Sequence, residues 1–198
     1  MSVPSHLLPA ACLDALTVRS ATVATAESLT AGLVSAALAS VAGASEALRG
    51  GVVAYASDLK VGMLGVEGAL VSTAGVISSA VAEQMAAGVR DRMSADWGVA
   101  TTGVAGPDPQ DGHPPGEVYV AVAGPDGLVD ARALRLTGDR QEIRSGAVDA
   151  ALTLLLSHLR GEAQVPPAFL EGRAQVAVRT GTLEQHHPTD PLDERNRP

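Results

Sequence analysis

Aromatic residues are nearly missing from this 198-residue chain: Tyr55, Trp97, Tyr119 and Phe169 are all it has. A nucleic-acid surface built on stacked rings therefore lacks its material. Positive charge is also scarce, with 14 basic side chains against 22 acidic ones and a net charge of -8. That balance argues against an extended phosphate-backbone partner and leaves room for one local phosphate pocket. The single cysteine, Cys12, excludes an intrachain disulfide and a cysteine-based metal cluster, and reads as a small hydrophobe on a helix. No HExxH pattern occurs; His6 and His158 stand alone, His113 precedes two prolines, and His186 and His187 fall near the C-terminal end. We therefore expect no metal and no cofactor. Long charge-free apolar runs are lacking, and the opening MSVPSHLLPA has no basic segment before an apolar one. The expectation is a cytoplasmic protein without a membrane partner.

What is present is aliphatic, Ala-rich and 46% hydrophobic, enough for one sizeable core. The chain reads as a single domain over residues 1–160 and a C-terminal extension over 161–198, its last dozen residues mobile. Apolar spacing predicts helices over residues 6–20, 33–39, 77–93 and 140–160, with Ser78 or Ser79 as an N-cap of the third. Strands are expected at 22–26, 51–56, 99–102 and 116–123. Residues 43–50 read as a turn with a short helical piece, and 57–66 as helix or turn. Pro125-Asp126-Gly127 marks a hairpin whose second strand covers 128–136. Strands alternating with helices, plus a late hairpin, give a three-layer α/β/α sandwich with a mixed β-sheet.

Lys60 is the one lysine beside 13 arginines. Lysine does what arginine cannot: a desolvated amine loses its proton and serves as a general base near neutral pH. A surface lysine is the plainer alternative. Ser28 sits where a strand gives way to a helix, a common position for nucleophiles in α/β enzymes. A neutral lysine supplies the base that a serine hydroxyl lacks, and amides of residues 29–32 are placed to hold an oxyanion. The plainer alternative makes Ser28 or Thr30 an N-cap. Tyr55 ends its own strand five residues before Lys60, suited to relaying a proton or holding serine and lysine in register, or simply to a core edge with its hydroxyl in water. The loop Thr101-Thr102-Gly103-Val104-Ala105-Gly106-Pro107 resembles a nest of backbone amides for a phosphate or carboxylate. It lacks the Lys-Ser/Thr ending of a nucleotide-triphosphate loop. Arg140 opens the last helix, either toward a phosphate or paired with Asp139 or Glu142.

Several ordered stretches together resemble the C-terminal domain of the competence/damage-inducible CinA family in its stand-alone form. They are Ala26-Glu27-Ser28-Leu29-Thr30-Ala31-Gly32, Arg49-Gly50-Gly51-Val52-Val53-Ala54-Tyr55 with Lys60, Gly75-Val76-Ile77-Ser78, Thr102-Gly103-Val104-Ala105-Gly106-Pro107-Asp108, Pro115-Gly116-Glu117-Val118-Tyr119, and Gly138-Asp139-Arg140. The resemblance spans about residues 7–160. It implies a nicotinamide mononucleotide deamidase that forms nicotinic acid mononucleotide and ammonia through an acyl-enzyme, with Ser28, Tyr55 and Lys60 catalytic. Substrate contacts are then expected at Thr30, Ala31, Gly32, Thr102, Gly103, Ala105, Gly106 and Arg140. The partner is a small nucleotide substrate, and the family suggests a homo-oligomer, most simply a dimer. The chain departs from the family pattern at Leu29 (cysteine there), Ala31 (glycine), and Ala56 and Ser57 (a serine-asparagine pair). Those departures keep two alternatives open: hydrolysis of another small amide, or a non-catalytic nucleotide-binding or interaction module.

Overall fold

A computed structural model describes residues 3–161. The extension expected beyond 161 lies outside the described residues. Five strands form one mixed sheet in the order β2-β1-β3-β4-β5. These are β1 (Val23–Glu27), β2 (Leu48–Val53), β3 (Trp97–Gly103), β4 (Glu117–Ala123) and β5 (Val129–Arg135). The first three run parallel, while β4 and β5 pair antiparallel as the hairpin expected from Pro125-Asp126-Gly127. Helices α1 (Leu8–Val18), α2 (Leu33–Ala39) and α6 (Arg140–Leu159) pack on one face, and α3 (Ser57–Leu64), α4 (Gly68–Ala74) and α5 (Ser79–Arg92) on the other. The architecture is a three-layer α/β/α sandwich.

Alternation along the strands gives the two faces different thickness. Val23, Val99, Val118, Val120 and Val122 point into the layer of α1, α2 and α6, where they meet Leu13, Leu16, Leu152 and Leu155. Ala24, Ala26, Ala100, Ala121 and Ala123 point the other way and meet Val81, Met85 and Val89 of α5. Small side chains let α5 come close. A Cβ on Gly98 would stand 2.0 Å from the Ala86 carbonyl oxygen, and one on Gly88 would stand 1.8 Å from that of Leu64.

Helix ends follow their sequence signals. Ser78 caps α5 by accepting the Val81 amide. Asp139 caps α6 in a reciprocal capping box with Glu142, which occupies both acidic groups locally. Cys12 lies buried in α1, and burial pushes its thiol up to about 12. Two elements differ from the sequence reading. Strand β2 starts and ends three residues earlier than expected, so Gly50 extends the chain and does not turn it, and Tyr55 lies two residues beyond the strand. The space that a Cβ on Gly51 would need is taken by the hydroxyls of Thr25 and Ser35, at 2.2 and 2.5 Å. Helix α4 was not signalled, because its seven residues carry too short an apolar pattern to set a period.

The chain leaves β1 through α2 on one face and reaches β3 through α5 on the other. The carboxyl ends of β1, β2 and β3 consequently frame a crevice. Ligands of open α/β sheets settle at such a point.

Candidate active site

Ser28 is the first residue beyond β1, and its amide donates to the Thr101 carbonyl of β3 at 3.0 Å. The nucleophile candidate is thereby tied to the central strand pair. Its hydroxyl faces α3, where Lys60 Nζ lies 3.1 Å from Ser28 Oγ and donates to the Ala54 carbonyl at 3.0 Å. Lys60 is 1% exposed, and no carboxylate pairs with it among the described residues. Burial without a counter-charge pushes its amine below the ordinary lysine value. A neutral amine here keeps one proton on Ala54 and turns its lone pair to the Ser28 hydroxyl. Lys60 is thus not the surface lysine of the plainer reading.

The turn after Ser28 is held from behind. The Ala31 amide donates to the Ser28 carbonyl at 3.1 Å, and the buried Glu27 carboxylate accepts the amides of Gly32, Val34 and Ser35 at 2.8 to 3.0 Å. Gly32, and neither Ser28 nor Thr30, is the N-cap residue of α2. Two expectations are corrected here. The Ala31 and Gly32 amides are engaged within the turn, so they do not face a ligand. Thr30 is fully buried, and its hydroxyl bonds to that of Thr101 at 2.7 Å. The amides of Leu29 and Thr30 have no protein acceptor among the described residues, and of the two residues only Leu29 lines the cleft.

Thr102, Gly103, Ala105 and Gly106 do join Ser28, Tyr55, Lys60 and Arg140 around one cleft, with Leu29, Ser57, Val76, Ile77, Val104, Asp108 and Gln110. Thr102 itself donates to the Val76 carbonyl at 2.8 Å, which fixes the apolar wall. Arg140 pairs with neither Asp139 nor Glu142. It spans the mouth of the cleft, donating to the Gly106 carbonyl at 2.7 Å and to the Tyr55 hydroxyl at 3.0 Å. Tyr55 is 56% exposed, and its hydroxyl bonds to neither Ser28 nor Lys60. The serine-lysine contact stands without a tyrosine in its path.

Three supporting residues escaped the sequence reading. Glu27 was seen only as part of a motif, and Arg144 not at all. Arg144 donates to the carbonyls of Leu29 and Thr30, both at 2.9 Å. It lies four residues beyond Arg140, on the same side of α6, and that spacing was the available signal. The third is Glu117, at the start of β4. Burial alone would raise its carboxyl, but hydrogen bonds from Tyr119, His113 and Arg135 outweigh burial and hold it below the usual value. Tyr119 in turn is pushed up to about 12 by burial and by Glu117. The His113–Glu117 contact at 3.0 Å pins the loop that brings Asp108 and Gln110 to the cleft. Among the described residues no group of three His, Cys, Asp or Glu converges to hold a metal ion, and no helix is long and apolar enough to cross a membrane.

A family model of the CinA C-terminal domain matches residues 6–159. The chain belongs to the CinA C-terminal domain family. A CinA-like protein of Frankia casuarinae is 51% identical over 119 residues, 60% of this chain and 27% of that protein. A putative competence-damage inducible protein of Desulforamulus reducens is 45% identical over 120 residues, 61% of this chain and 29% of that protein. The chain thus spans under a third of the length of these curated relatives. Solved structures match more fully. The competence/damage inducible protein CihA of Agrobacterium tumefaciens is 36% identical with a TM-score of 0.75, covering 81% of this chain and 99% of that one. The competence damage-inducible protein A of Klebsiella pneumoniae is 30% identical with a TM-score of 0.77, covering 82% and 100%. Within the CinA frame, Ala31 takes a left-handed φ of +49°. The turn keeps the conformation a glycine would adopt freely, although a Cβ makes it costlier. Leu29 and Ser57, two other departures from the family pattern, stand in the cleft wall.

Proposed function

We propose that this CinA-family domain hydrolyses the carboxamide of nicotinamide mononucleotide through a covalent acyl-enzyme. The observation that carries this reading is the 3.1 Å contact between Lys60 Nζ and Ser28 Oγ, with the lysine buried and paired with no carboxylate among the described residues. Neutral Lys60 takes the Ser28 proton as Oγ attacks the carboxamide carbon, and the carbonyl electron pair moves onto oxygen. The amide of Leu29, which lines the cleft, holds that oxyanion. Lysine returns the proton to the departing nitrogen, the C–N bond breaks, and ammonia leaves a nicotinoyl ester on Ser28. Water, deprotonated by the same amine, then attacks the ester and frees nicotinic acid mononucleotide. Tyr55 acts with Arg140 at the mouth of the cleft, outside the proton path. Arg140 is bonded to neutral oxygens there, and a phosphate is a stronger acceptor for a guanidinium.

The test is ammonia release from nicotinamide mononucleotide by the wild type, Ser28→Ala and Lys60→Arg. Turnover in the wild type and a loss of about 10³-fold or more in both folded variants is the expected result. Full activity in Lys60→Arg would remove the lysine base, because a guanidinium does not accept a proton near neutral pH. Leu29 and Ser57 in the cleft wall favour a second reading, hydrolysis of a related small amide. A panel of nucleotides and simple amides separates the two.

A further inference from the structure

Among the described residues, Asp108 is the one acidic residue that lines the cleft, and its carboxylate makes no hydrogen bond or ion pair with the others. It stands between Pro107 and Pro109, whose rings fix their own φ and restrict the residue between them. Gly106, Asp108 and Gln110 line the cleft, while the two prolines do not. Arg140 holds one end of this loop through the Gly106 carbonyl at 2.7 Å. The main chains of Gln110 and His113 hold the other end by exchanging bonds of 3.0 and 2.8 Å, and the His113–Glu117 contact anchors both to β4. Arg140 reaches the loop, yet it bonds to a carbonyl and a phenol and leaves the carboxylate unpaired.

A carboxylate only accepts hydrogen bonds, so it selects for donors. The nucleotide proposed above carries donors of two kinds: the carboxamide NH2, committed to Ser28 and Lys60, and the 2′- and 3′-hydroxyls of its ribose. Its phosphate is repelled by Asp108 and attracted by Arg140. Its ring has an apolar wall of its own in Leu29, Val76, Ile77 and Val104. We propose that Asp108 reads the vicinal diol of the substrate's ribose, each hydroxyl donating to the carboxylate. The proposal rests on the nucleotide reading above and deepens it, because it names the residue that makes the cleft prefer a ribosylated amide to a bare one. Acidic side chains hold ribose hydroxyls in the same way beyond the strand ends of other α/β folds. A carboxylate already fixed by its loop loses little freedom on binding, so the two hydrogen bonds appear in the affinity.

The test is a cycle between side chain and ligand. The Ser28→Ala variant has no nucleophile, so calorimetry reads affinity in that background without turnover. The probes are nicotinamide mononucleotide and its 2′,3′-dideoxy analogue, each titrated into Ser28→Ala alone and combined with Asp108→Ala or Asp108→Asn. With Asp108 intact, the analogue binds roughly 10- to 100-fold more weakly than the natural nucleotide. Asp108→Ala weakens the natural nucleotide by a similar factor and leaves the analogue within about twofold, so the two losses do not add. Asp108→Asn keeps the shape of the side chain and one acceptor oxygen, and its loss on the natural nucleotide falls between those of aspartate and alanine. The proposal is overturned if the losses add, which would put Asp108 against the ring cation or in the structure of the loop alone, or if the analogue binds as tightly as the nucleotide. Nicotinamide mononucleotide that binds the wild type without turning over removes the acyl-enzyme reading, and the cycle still decides the role of Asp108. If Ser28→Ala binds neither probe, the nucleotide reading fails and the diol contact fails with it.

Discussion

The two faces of the sheet are built from different volumes and serve the site differently. On the side of α1, α2 and α6, valine and leucine fill a thick layer, and the polar groups that reach the Ser28 turn, Glu27 and Arg144, are fastened to main-chain atoms. On the side of α3 and α5, alanine and glycine make a thin layer, and the one polar group sent to Ser28 is the Lys60 amine. One face sets the shape of the turn, and the other supplies the buried amine that changes protonation in the proposed mechanism. Positioning and proton transfer are therefore separable by substitution.

The strongest way to break that division is at Lys60 and Ser28, where Lys60→Arg and Ser28→Ala each remove about 10³-fold or more of the turnover while the fold remains. Next comes the thick face, which fails by loss of volume. Leu155→Ala opens a cavity in a fully buried position and lowers unfolding free energy by about 2 to 5 kcal/mol in denaturant melts. The thin face fails the opposite way, by gain of volume. Gly98→Ala places a methyl 2.0 Å from the Ala86 carbonyl oxygen and costs about 1 to 3 kcal/mol as α5 is pushed outward.

Lys60→Met sharpens the comparison from the side of stability. The buried amine has a lowered proton affinity in the folded state. Between that lowered pKa and the ordinary lysine value the unfolded chain binds more protons, so wild-type stability rises with pH across that window. The rate rises through the lower end of the same window, because the neutral amine is the base. Lys60→Met abolishes turnover, raises the melting temperature at neutral pH and flattens the alkaline part of the stability profile; an unchanged profile would mean that the lysine is not desolvated. The smallest effect is expected at Ala31→Gly, which relieves a left-handed φ of +49° and stabilises by roughly 0.5 to 1 kcal/mol by calorimetry.

Much of this was legible in the sequence, and the exceptions have physical causes. A strand end located Ser28, and the solitary lysine drew attention to Lys60. The loop of residues 102–106 was readable from its glycines. Gly50 misled because it was read as part of a turn, while Gly51, expected at the start of the strand, answers to a packing demand from Thr25 and Ser35 that is set elsewhere in the chain. Tyr55 was expected at the end of its strand but lies two residues beyond β2, where its hydroxyl meets Arg140 from a helix 85 residues on. Arg144 was invisible for a stronger reason. Its acceptors are carbonyl oxygens, which every residue carries, so no side-chain pattern marks them.

The bond from the Ser28 amide to the Thr101 carbonyl has a consequence for protein engineering. A motif that looks self-contained over residues 26–32 is stitched to a neighbouring strand by the Ser28 amide, propped by a carboxylate below it and gripped by an arginine from the final helix. Grafting those seven letters onto another α/β scaffold would transfer the spelling and leave the grammar behind. A working transplant must carry the Thr101 strand end, Ser35, Lys60 and Arg144 as one unit, which makes the site portable only as a sheet end.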